Sequence, residues 1–189
     1  MLSRLIVVLF RGSASTDITT YFEFYQATER GAGLEGLFAG GDFPYPPLVS
    51  LLILIPGWMA SLFGAVSLQN YALGYRLCMV VFDLGILLLL PSLLSATASR
   101  TNFRSVLRRT LFYVFLPIVL SVVAYDRFDL AVAFLIALSA WLAWRGHPFG
   151  GAFCLGLGIA LKITPLLVAP PLLFRLWAGS QRNKVRRSA

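Results

Sequence analysis

Charge is what this chain has least of. Asp, Glu, Lys and Arg make up 13% of its 189 residues, against 58% apolar ones, and the mean hydropathy is +0.79. Soluble domains run at about 25% charged and roughly 45–50% apolar, so this composition excludes an ordinary soluble domain and reads as a membrane protein. Histidine occurs once, at His147, and cysteine twice, at Cys78 and Cys154, both inside apolar runs. No Cys/His cluster is left for a metal site and no Ser-His-Asp triad is set by sequence, so no cofactor is expected, with a divalent metal left open. The two cysteines read as inert packing residues.

Acids are scarcer than bases, eight against sixteen, for a net charge of +8. The bases gather at Arg100–Arg109 and Arg182–Arg187, immediately beside apolar runs. Anionic lipid and the positive-inside bias account for them there, and nucleic acid is not an expected partner. No polar stretch is long enough for a second, soluble domain. The expected organisation is one membrane domain over residues 1–180 and a basic tail over 181–189.

What acid there is lies mostly in one place. The polar island Ser13 to Leu48, SASTDITTYFEFYQATERGAGLEGLFAGGDFPYPPL, holds Asp17, Glu23, Glu29, Glu35 and Asp42; only Asp83, Asp126 and Asp129 lie elsewhere. From Asp17 to about Arg30 the island reads as a helix capped by Thr16 or Asp17. Ile18, Tyr21, Phe22 and Tyr25 fall on one face of it. Beside a membrane such a helix lies in the interface, with its rings at headgroup level. Gly31, Gly33, Gly36, Gly40 and Gly41 then open a loop that closes at Pro44-Tyr45-Pro46-Pro47, the start of the next segment.

The remainder is predicted all-α, a multi-pass transmembrane bundle of about six hydrophobic segments. The first is truncated: Leu5 to Phe10 supplies six apolar residues, whereas a crossing needs about 20. Pro47 to Val66 follows, kinked at Pro56-Gly57, and then Tyr71 to Ala96, which carries Arg76 and Asp83. Thr97 to Arg109 reads as a loop with four arginines and no acid. Thr110 to Tyr125 and Leu130 to Trp144 are shorter helices around Asp126-Arg127-Phe128-Asp129. Phe149 to Trp177, 29 residues, is expected to break into two half-helices at Thr164-Pro165. Parity places the acidic island and the arginine loop on one side and the basic tail on the other, so positive-inside bias does not assign the orientation.

Charge inside apolar helices narrows the function. A charged residue at a helix centre costs roughly 2.5–3.5 kcal/mol on insertion scales, so Asp83 and Lys162 face protein or water. Either they serve a site, or they pair with each other or with Arg76 as structural glue. The Asp126–Asp129 turn is either a solvated hairpin or a surface knot that binds an anion through Arg127. Asp17 is either a helix cap or a base placed to take a proton from an acceptor hydroxyl.

Taken together, Asp17 and Tyr21, Asp42-Phe43, Tyr45-Pro46-Pro47-Leu48, Asp83-Leu84, Arg127-Phe128-Asp129 and the run Gly151-Ala152 through Gly156, Lys162 and Pro165 resemble the GT-C superfamily. Their order is closest to the bacterial mannosyltransferases of glycosyltransferase family 87. No single motif is specific; the order and spacing carry the likeness, which covers nearly the whole chain. The resemblance implies an inverting hexosyltransferase that moves a sugar, mannose being the expected one, from a polyprenyl phosphate to a lipid or glycan acceptor. It implies Asp17 as the catalytic base in an extracytoplasmic loop of a cell-membrane protein. Tyr21, Asp42, Tyr45 and Asp129 are then expected on the substrate side, the Tyr45 corner toward the acceptor, and charge assigns Arg127 and Lys162 to the donor phosphate. Family members continue beyond the Lys-x-x-Pro helix, so the chain is expected to represent an amino-terminal portion. The competing reading is a non-enzymatic membrane module. One form is a small-solute-binding transporter subunit with Asp83 and Lys162 lining its site; the other binds lipid-linked sugar without transferring it.

Overall fold

The computed structural model describes residues 8, 14–33, 38, 43–62, 64–97, 103–120, 125–171 and 174. Among them every regular element is helical, as expected, and no strand occurs. The clipped first segment (apart from Val8), Asp42 and the basic tail lie outside the described residues.

Helix α1, Thr16–Ala27, starts one residue before the expected Asp17. Ser15 is the cap: its backbone is extended (φ −77°, ψ 166°) and its Oγ accepts the Ile18 N–H at 3.4 Å. This corrects the expectation of Thr16 or Asp17 at that position. Thr16 and Asp17 are already helical, and Ser15 satisfies an otherwise orphaned donor of the first turn. A π-turn, Thr28–Ala32, follows, in which Gly31 takes φ 100°, and Gly33 beyond it takes φ 54°, backbone that glycine adopts without steric cost.

Pro46 and Pro47 lead into α2, Val49–Ser61, through turns closed by Val49 N–H to Pro46 O at 3.0 Å and Ser50 N–H to Pro47 O at 3.1 Å. The expected segment ran to Val66; the helix stops five residues sooner, and Gly64 at φ 115° turns the chain away. At 13 residues α2 spans about 20 Å, short of the roughly 30 Å hydrocarbon layer. Pro56 and Gly57 lie buried inside this single helix.

Helix α3, Leu68–Thr97, is the one described helix long and apolar enough to cross a membrane, over Leu68–Ser95. Helix α4, Phe103–Val119, corrects the expected arginine loop: Arg104, Arg108 and Arg109 lie on the helix. Arginine is a good helix former, and Phe103, Leu107 and Leu111 carry an apolar stripe at four-residue spacing straight through the basic run. The helix also ends at Val119 rather than Tyr125.

Helices α5, Asp129–Trp144, and α6, Pro148–Leu161, form a hairpin. His147 N–H bonds Leu142 O at 2.9 Å and Gly146 N–H bonds Ala143 O at 3.3 Å, with Gly146 at φ 84°. This is a Schellman ending with glycine at its left-handed position. Ser139 Oγ, buried in α5, donates to Gly151 O at 2.7 Å. The expected break in the last segment is present and falls at Lys162, which is extended (φ −156°, ψ 140°) before a 3-10 turn, Thr164–Leu167. Pro165 lacks an N–H and its ring conflicts with the carbonyl four residues back, which stops α6 at Leu161.

The described residues thus hold one full-length span and three shorter apolar helices, α2, α5 and α6. The chain divides into two compact units, Met1–Val81 with Leu116–Leu130, and Phe82–Phe115 with Ala131–Ala189.

Candidate active site

The first unit gathers its aromatic residues around α1. Ile18, Tyr21 and Tyr25 are the buried face of that helix, at the spacing read from the sequence, with Phe22 half-buried beside them. Two tyrosines one turn apart on α3 meet this face. Tyr75 lies 5.3 Å from Tyr21, and Tyr71 lies 5.3 Å from Phe22 and 5.7 Å from Tyr25, centroid to centroid. Tyr71 Oη donates to Ile53 O at 2.9 Å, tying α3 to α2. Gly57 of α2 lies against the Tyr25 ring so closely that a Cβ there would overlap it.

Tyr45, at the proline corner, stands edge-on to Tyr21 at 5.7 Å and to Phe128 at 5.8 Å, and Phe128 is 6.2 Å from Tyr21. Such edge-to-face contacts add about 0.5–1.5 kcal/mol each beyond their area burial. They hold the corner and the Asp126–Asp129 turn against α1.

The turn alternates in burial. Tyr125, Asp126 and Phe128 point inward and Arg127 points out. Inward, Arg76 Nε of α3 donates to Asp126 Oδ1 at 3.0 Å, with side chains 4% and 2% exposed. Outward, Arg127 Nε donates to Asp17 Oδ2 at 2.8 Å, with side chains 54% and 36% exposed. The Asp17 hydrogen bond and charge push the Arg127 guanidinium above its ordinary range, so it stays cationic. The Tyr21 hydroxyl is raised well above its usual value near 10, first by burial and then by Tyr45 and Asp17. It therefore stays protonated at neutral pH.

Of the residues singled out in the sequence, Asp17, Tyr21, Tyr45, Arg127 and Asp129 come together in this unit; Asp129 acts electrostatically on both Tyr21 and Arg127. Lys162 belongs to the second unit, at the C-terminal cap of α6. Asp83 is there too, buried at 1% exposure and accepting the Tyr113 hydroxyl at 2.6 Å. The ion pair that sequence reasoning missed is Arg76–Asp126. Arg76 was weighed only as a partner for Asp83 or Lys162, and its carboxylate lies 50 residues away. Two opposite charges beside apolar runs were the available signal. Among the described residues no three His, Cys, Asp or Glu side chains gather as a metal site.

The family model for glycosyltransferase family 87 matches residues 43–182. The chain belongs to glycosyltransferase family 87. No curated protein and no solved structure matches it. Within this family-87 chain the matched span contains Tyr45, Arg127, Asp129 and Lys162, while Asp17 and Tyr21 precede it. Two contacts join those earlier residues to the matched span: Asp17 to Arg127, and Tyr21 to Tyr45.

Proposed function

We propose that this glycosyltransferase transfers a hexose, mannose in the first instance, from a polyprenyl phosphate to a hydroxyl of a lipid or glycan acceptor, inverting the anomeric centre. The observation that carries the reading is the Arg127–Asp17 contact. It accounts for only one carboxylate oxygen and one guanidinium N–H; no other side-chain hydrogen bond engages Asp17 or Arg127 among the described residues. Asp17 Oδ1 is therefore available to take the acceptor proton. The terminal amino groups of Arg127 are available to a phosphate, which a planar guanidinium recognises in a forked geometry.

In the proposed step the acceptor oxygen bonds to the anomeric carbon as Asp17 removes its proton. The bond from that carbon to the phosphate oxygen breaks, and polyprenyl phosphate leaves with one more negative charge. Arg127 faces that developing charge, the arrangement that electrostatic catalysis requires. Tyr21 and Tyr45 shape the acceptor side and Asp129 orients Arg127 by charge; Lys162 is proposed for the donor phosphate on its charge alone, and Asp42 for the substrate side on the family resemblance. The protein is proposed to be multi-pass in the cell membrane, with α1 in the interface on the extracytoplasmic side.

The N-cap role that gave Asp17 a bland explanation is taken by Ser15, which supports assigning it chemistry. The transporter reading is not supported in the same way, since Asp83 is occupied by the Tyr113 hydroxyl. The test is transfer of labelled sugar from polyprenyl phosphate mannose by membranes that contain the protein. Transfer that falls at least ~100-fold in Asp17→Asn is the expected result; undiminished transfer in that variant overturns the assignment.

A further inference from the structure

A buried charge and an exposed charge stand side by side in the Asp126–Arg127 dipeptide, and each is bonded to a different helix. Asp126 reaches Arg76 on α3, the apolar span, and Arg127 reaches Asp17 on α1, the polar helix. In this turn Asp126 is buried and Arg127 exposed, and the two side chains meet different helices, so holding one restricts the direction of the other. An ion pair is directional where an apolar contact is not. Breaking one takes a close partner from a charge held out of water, so the Arg76–Asp126 contact tolerates little rotation of the turn. The exposed Arg127–Asp17 contact is hydrated and screened, and it cannot set the geometry by itself.

We propose that Arg76 is a positioning residue. Through Asp126 it orients the Asp126–Asp129 turn so that the Arg127 guanidinium stands at Asp17 in the absence of substrate. Phe128 takes part from the same turn: its ring packs on Tyr21 and Tyr45, so the inward side of the turn is held at two points, one ionic and one aromatic. Arg76 touches neither Asp17 nor Arg127 in this scheme and acts only through the turn. The inference deepens the proposed donor-phosphate role of Arg127, and its geometric part stands apart from that role.

The decisive experiment measures proximity and turnover separately. In a background lacking Cys78 and Cys154, the paired substitutions Asp17→Cys and Arg127→Cys are treated with a short bis-maleimide, and the cross-link yield is read in native membranes. Adding Arg76→Gln is expected to lower the yield at least fivefold. So is the double change Arg76→Met with Asp126→Leu, which removes both buried charges and is expected to leave the protein folded, as its thermal unfolding checks. An undiminished yield in that folded double variant overturns the proposal.

In the otherwise native chain, Arg76→Gln is expected to raise KM for polyprenyl phosphate mannose about tenfold with a smaller change in kcat, and Arg76→Lys is expected to recover most of the loss. A fall in the amount of active protein at unchanged KM also overturns it, because that is what a purely stabilising pair produces. If the wild-type protein transfers no sugar while the cross-link still depends on Arg76, the enzymatic reading fails and the positioning role stands. If transfer is robust and both the cross-link and KM ignore Arg76, the positioning role fails alone.

Discussion

Two ion pairs one residue apart in the chain make an instructive contrast. Arg76–Asp126 is nearly sealed from solvent and Arg127–Asp17 is largely open to it, though both join an arginine Nε to an aspartate oxygen at about the same distance. Burial makes the first hard to break and gives it directional force; a lone buried charge left behind is costly. Exposure makes the second cheap to open, because water and salt substitute for either partner. A contact that must yield to a substrate belongs on the exposed side, and a contact that must not move belongs on the buried one.

The comparison breaks most clearly at Asp17. Asp17→Asn is expected to abolish sugar transfer by at least ~100-fold while leaving thermal unfolding of the purified protein unchanged, because the cap is Ser15 and the lost pair is exposed. Asp126→Ala makes the opposite prediction: about 3–5 kcal/mol of stability is lost as the buried Arg76 loses this carboxylate, read as a lowered unfolding midpoint. Gly57→Ala is expected to destabilise as well, by about 1–3 kcal/mol, since a methyl group meets the Tyr25 ring on the helix that carries Asp17.

Arg127→Lys should cost roughly tenfold in KM for the donor with little change in stability, because a point charge lacks the fork that a phosphate fits. The smallest effect is in pH. Tyr21 titrates above its ordinary value near 10, so the stability it contributes is fully present below pH 10 and is lost progressively as pH rises from there toward its folded value. Unfolding of Tyr21→Phe measured between pH 7 and pH 11 is expected to show a smaller alkaline loss than the wild type, and an identical alkaline decline in both proteins would remove Tyr21 as a source of it.

Much of the fold was legible because it follows from periodicity. The Ile18, Tyr21 and Tyr25 face, the long apolar helix around Arg76 and Asp83, and the break before Pro165 each come from local steric or hydrophobic rules. The errors were local as well. Charge reads the arginines after Thr97 as a loop, but they stand at helical spacing and arginine is a good helix former, so α4 runs through Arg104, Arg108 and Arg109. Pro47 to Val66 was judged by hydropathy, which is blind to the left-handed turn at Gly64 that follows the early end of α2.

The composition by itself determined that this is a helical, apolar chain, and the order of its motifs pointed to the glycosyltransferase family that the matched span then established. Those properties are sums over residues or patterns along the chain, and no contact is needed to read them. Only the tertiary structure decided that Asp17 is not a cap, that Arg127 meets it across 110 residues, and that Arg76 belongs to Asp126. Any of several acids could have satisfied either arginine. The choice depends on which helices pack together, which no stretch of sequence encodes locally.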